Sequence, residues 1–150
     1  MFVCRLFALL LAATILAPAG LAAEPKKVGA GRAASTTQNR LVFQVNEGDS
    51  KLWNGVLANI RNIQAELGAK NVAVAVVAIG PGLGMLTADS LTATGVQDAL
   101  VAGVEFVACG NSMQALHIGK DDLVEGVSVV TAGYVELMRR QQAGWAYLRP

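Results

Sequence analysis

The residues best suited to chemistry gather in one short run, "VEFVACGNSM" (104–113), where an apolar, strand-like stretch stops on Cys109 and gives way to Gly110, Asn111 and Ser112. Gly110 permits a tight turn, and Asn111 or Ser112 suits the start of a helix. The thiol should therefore face amides and a positive dipole end that favour thiolate. In a parallel α/β sheet, ligands collect beyond the carboxyl ends of strands, which is where this cysteine falls. The competing account of Cys109 is a small buried hydrophobe at a strand end.

Other chemistries fit the sequence less well. "GNSMQ" begins like a serine-hydrolase elbow, but Gln114 stands where the second glycine is needed, and the single histidine, His117, lies five residues beyond Ser112. One histidine and one cysteine cannot fill a zinc shell, and Glu47, Asp49, Asp121 and Asp122 sit in turns where capping accounts for them. No metal and no cofactor are expected. The glycines of "GPGLG" (80–84) lack dinucleotide spacing and the lysine of a phosphate loop, so this segment reads as the lining of a cleft. Gly82 and Glu47 would then join Gly110, Asn111 and Ser112 as binding residues. Trp53, Trp145 and Tyr147 read as core, and Arg139–Arg140 as a solvated helix end.

These residues need a scaffold, and the pattern supplies one. "LVFQV" (41–45) is a short strand that turns polar at "NEGDS", where Asp49 or Ser50 caps a helix. Leu52, Val56, Ile60, Ile63 and Leu67, widened by Trp53 and Leu57, recur at helical spacing up to Gly68. "NVAVAVVAIG" is apolar without alternation, which fits a central strand covered on both faces. A glycine-rich turn, a short helix over 95–102, the strand ending at Cys109, a short helical segment and an Asp121–Asp122 turn come next. The strand "VSVV", a helix in "AGYVELMRRQQAG" with Val135 and Met138 on its apolar side, and a last strand "WAYLR" complete the chain. Alternating strands and helices predict a three-layer α/β domain with a mainly parallel sheet.

At the amino end, "MFVCRLFALLLAATILAPAGLAA" has Arg5, an apolar stretch from Leu6 to Ala17, then Pro18, Gly20 and small residues. This is the layout of a cleavable signal peptide over 1–23, with Ala19 and Ala22 as alternative ends to Ala23. Residues 24–39 read as a flexible lead-in, and 40–150 as the folded domain. Cleavage would remove Cys4 and leave Cys109 alone, without an internal disulfide partner, in an oxidising compartment. The 53% hydrophobic and 15% charged content suits one globular core, inflated by the apolar amino terminus. A formal net charge of +1 carries no basic footprint for nucleic acid.

The segments "LVFQVNEGD", "WNGVLANIRNIQAELG", "VAIGPGL", "VEFVACGNSM" and "GVSVVTAGYVELMRRQQAGWAYLRP" together resemble the DsrE/DsrF-like family, in particular an exported branch, over nearly all of 40–150. The resemblance implies a five-stranded α/β/α sandwich, assembly as a homotrimer or homohexamer, and a cysteine that carries sulfur as a persulfide, here Cys109. Sulfur-oxidising members of that family act in the cytoplasm with sibling chains, whereas this chain begins with a signal-like segment. The expected function is a periplasmic sulfane-sulfur carrier or transferase, with a sulfur donor or acceptor protein as partner and no stable membrane insertion after cleavage. Its rival is a non-catalytic oligomeric module whose cleft, from "NEGD", "GPGLG" and "ACGNSM", holds a small ligand or partner.

Overall fold

A computed structural model describes residues 39–150; the signal-peptide assignment and the lead-in up to residue 38 fall outside these residues, while Asn39, expected in the lead-in, opens the first strand by pairing with Val72. Five strands form one parallel sheet in the order β4-β3-β2-β1-β5: β1 (Asn39–Val45), β2 (Val72–Ala78), β3 (Glu105–Cys109), β4 (Ser128–Val130) and β5 (Ala146–Leu148). The chain steps outward from β1 to β4, then returns to add β5 on the far side of β1. The helices are α1 (Ser50–Leu67), α2 (Ala93–Val101), α3 (Gly110–Leu116) and α4 (Gly133–Gln142). No helix among the described residues is long and apolar enough to cross a membrane.

Side chains alternate across each strand, and the alternation divides the core in two. Phe43, Val45, Val74, Val76, Phe106 and Ala108 point to one face, where α1, α2 and α3 deliver Val56, Leu57, Ile60, Val96 and Met113. Val42, Ala75, Val77, Val107 and Cys109 point to the other, met by Ile79 and by Leu137 of α4. β2 is apolar throughout because it is buried on both faces, as its sequence predicted.

Local chemistry sets the helix limits. Asp49, not Ser50, caps α1, its Oδ1 accepting the Lys51 N–H at 2.9 Å, and Gly68 ends the helix at φ 82°. The glycine-rich turn expected at "GPGLG" is tightly wound. Residues Gly80–Met85 wind into a 3-10 turn that buries Gly82, Leu83 and Met85. A side chain at Gly82 would place its Cβ 2.2 Å from the Val45 carbonyl oxygen, so only glycine lets this turn lie on β1.

The helix α4 corrects the hydropathy pattern. Val135 and Met138, expected on its apolar side, are exposed, and the buried residues are Gly133 and Leu137. The inward stripe runs Gly133, Leu137, Arg140 at spacings of four and three, so a glycine and an arginine hold two of its three positions. Hydropathy alone selected the wrong side of this helix.

Candidate functional site

Cys109 ends β3 and is itself the residue that caps α3, with φ −77° and ψ 111°. It is the free thiol among the described residues and is 4% exposed. The hydrogen bond to its sulfur comes from another helix: the Gly133 N–H, at the start of α4, donates to Sγ at 3.2 Å. That approach requires glycine, because a Cβ at Gly133 would lie 2.8 Å from Ile79 Cγ1 and 3.1 Å from Cys109 Cβ.

The short α3 contributes from the other side. Ser112 stands beside the thiol while its Oγ accepts the Gly80 N–H at 2.9 Å, which leaves the hydroxyl proton free to turn toward sulfur. The Asn111 N–H also donates to the Thr131 carbonyl at 3.1 Å, and a Cβ at Gly110 would sit 3.0 Å from the Val130 carbonyl oxygen. The start of α3 is thus stitched to the loop that leads into α4. Burial pushes the Cys109 thiol up. The Ser112 hydroxyl and the amides of Gly133, Ser112 and Asn111 outweigh that effect and hold the thiol below its ordinary value. The thiolate support expected from α3 therefore comes largely from one of its hydroxyls and from the amide of α4.

The other expected binding residues lie apart from the sulfur. Glu47 follows β1, two strand positions from β3, a lateral separation of about 10 Å. Its carboxylate accepts from Arg149 Nη2 at 2.8 Å, which holds the carboxyl below the usual range, and its carbonyl accepts the Trp53 indole N–H at 2.8 Å. Gly82 is spent on backbone packing against Val45. The three cleft segments nonetheless adjoin: a Cβ at Gly48 would stand 3.2 Å from Pro81 Cβ, and the Gly80–Ser112 bond joins "GPGLG" to the cysteine turn. His117 is the left-handed C-cap of α3, at φ 55°, and is exposed.

A cluster of hydrogen-bonded polar side chains sits on the sheet where the strand order reverses. Gln44, 5% exposed, lies on the thiol's side of the sheet; Tyr147 donates to its Oε1 at 2.6 Å, and its Nε2 reaches the Tyr134 hydroxyl at 3.5 Å. Among the described residues no group of His, Cys, Asp and Glu side chains could hold a metal ion. Sequence reasoning missed Gly133, and it missed that Gly80 acts through its backbone N–H on Ser112. The available signal was a small-residue pair, Ala132–Gly133, between a strand and a helix.

Together these features define a parallel α/β domain with a cysteine-centred carboxyl edge. Residues 57–150 match the DsrE/DsrF-like family, which is associated with sulfur relay, and the chain belongs to it. Among solved structures, the protein of unknown function MTH1491 from Methanobacterium thermoautotrophicum is 39% identical, with a TM-score of 0.72 over 75% of this chain and 99% of its own. The ychN protein from E. coli is 16% identical with a TM-score of 0.63, covering 75% of this chain and 99% of its own. BT1422 from Bacteroides thetaiotaomicron, a conserved protein of unknown function, is 15% identical with a TM-score of 0.63, covering 78% and 99%. The last two speak to the fold alone. No match was found among curated proteins.

Proposed function

We propose that this protein is a sulfane-sulfur carrier or transferase in which Cys109 holds the transferred sulfur as a persulfide. The observation that carries the reading is the sulfur's setting: an amide N–H at 3.2 Å and a hydroxyl alongside, at the carboxyl end of a central strand, with the net effect favouring thiolate. In the loading step the Cys109 thiolate attacks the terminal sulfane sulfur of a polysulfide or a protein persulfide. One S–S bond forms, one breaks, and the leaving sulfur keeps the electron pair and takes up a proton. Attack by an acceptor thiolate on the outer sulfur reverses the exchange and restores the Cys109 thiolate, with no external oxidant or reductant.

Incubation with inorganic polysulfide followed by mass spectrometry tests this. The peptide containing Cys109 should gain sulfur, and Cys109→Ser should gain none; an unmodified wild-type peptide overturns the reading. The 4% exposure of Cys109 favours the second reading, a non-catalytic binding module in which the thiol is packing. An inert thiol would establish that one.

Export and self-association belong to the same proposal. The signal-like segment supports a periplasmic mature form starting near Glu24, read by its intact mass. Exposed Tyr134, Val135, Met138, Val129 and Leu148 leave apolar surface for neighbours, which supports a homotrimer or homohexamer, read by sedimentation.

A further inference from the structure

Arg140 lies on the inward stripe of α4, seven residues after Gly133, with a side chain 13% exposed. Its Nε donates to Glu136 Oε1 at 2.7 Å and its Nη2 to Glu105 Oε2 at 2.7 Å, while its guanidinium carbon sits 4.5 Å from the centre of the Trp145 ring. One planar fork thus joins α4 to the first residue of β3 and to the residue preceding β5. That geometry suits arginine and no other side chain. Apart from it, α4 is anchored by Leu137 as its one large buried apolar residue. Gly133 is at the opposite end of the same rigid helix, about 10 Å along the axis.

We propose that Arg140 is a positioning residue for the thiol: by tying α4 to Glu105 and Trp145, it holds the Gly133 amide on Cys109 Sγ. The inference rests on the reading of Cys109 as the reactive group, but the property it governs is the ionisation of the thiol, which is measured without any sulfur transfer. The groups that bear on the sulfur are Gly133 from α4 and Ser112 and Asn111 from α3, with Ile79 beyond β2 in the same apolar cluster; none of them is ionisable. The thiol therefore responds to α4 through where the Gly133 amide sits.

The test is the rate of Cys109 alkylation by a small haloacetamide as a function of pH, in the full mature chain. Arg140→Met should move the midpoint upward, cutting the rate below the midpoint by roughly three- to tenfold, since one pH unit corresponds to a tenfold change in thiolate. Arg140→Lys, which keeps the charge but loses the fork, should fall between the two. Glu105→Gln is decisive and keeps α4 intact. Removing a negative charge would by itself favour thiolate and lower the midpoint, whereas loosening the clamp raises it. An upward shift in Glu105→Gln supports the proposal; an unchanged or lowered midpoint overturns it, even where Arg140→Met does not fold. Asp49→Ala weakens α1 on the other face and should leave the midpoint in place; an equal shift there also overturns the proposal. Midpoints that move as stated in a protein that accepts no sulfur would strike the carrier reading and leave the clamp standing.

Discussion

The two faces of the sheet are built to different depths. Among the described residues, 20 buried side chains share the core beneath α1, α2 and α3, whereas 7 share the core beneath α4. The deep face contains Phe106, Ile60, Leu83, Met85 and Leu86, all less than 2% exposed. The shallow face is mostly Val and Ala, and it carries the cysteine. Burial scales with apolar area, so the deep face supplies most of the stability. The shallow face, with one helix over it, gives the thiol a setting that a small movement can alter.

That division makes its strongest claim for Phe106 and Leu137. Phe106→Ala should lower the unfolding free energy by about 3 to 5 kcal/mol, measured by urea denaturation, and leave the alkylation midpoint of the folded protein unchanged. Leu137→Ala should cost less, about 2 to 3 kcal/mol, because the side chain is smaller and a single helix covers that face and can settle toward the cavity. It should nevertheless change the Cys109 alkylation rate. Equal effects of the two substitutions on the thiol would dissolve the distinction between the faces.

Gly133→Ala sharpens the comparison within the shallow face. The added methyl meets Ile79 and Cys109 at 2.8 and 3.1 Å, so the start of α4 must lift, at about 1 to 3 kcal/mol. The loss of the 3.2 Å bond should raise the thiol's midpoint toward the ordinary value. A smaller effect separates the wild type from Cys109→Ser. A thiol held below its unfolded value stabilises the fold above that unfolded value and loses the contribution as pH falls through the folded one. The stability difference between the two proteins should therefore shift in favour of the wild type as pH rises through this window, and chemical denaturation at a series of pH values reads it. A flat difference would mean that the thiol is not held low.

Much of this was legible in the sequence, for identifiable reasons. The unbroken apolar run at Val72–Ala78 announced a strand covered on both sides, and the spacing of Val56, Ile60 and Ile63 announced α1. The placement of Cys109 at a strand's carboxyl end followed from the strand itself. The sulfur's partner did not, because a backbone amide 24 residues away has no side-chain signature. The inward stripe of α4 was hidden for a related reason: glycine and arginine score as polar or neutral, yet one is buried for its lack of a side chain and the other for its three partners. The turn at Gly80–Met85 was legible as a turn but not as a buried one, because glycines kept for close backbone approach look the same in sequence as glycines of an exposed loop.

The seat of β5 beside β1 has a consequence for the order of assembly. The last strand pairs with the first, and the Gln44 amide waits for Tyr134 and Tyr147, which lie 90 and 103 positions further along the chain. Until those residues are available, β1 is an open edge and Gln44 has neither phenol to bond. Contacts of such long sequence separation are slow to form. A growing chain can therefore gather its deep face early, but the face that holds the thiol closes only when the carboxyl terminus arrives.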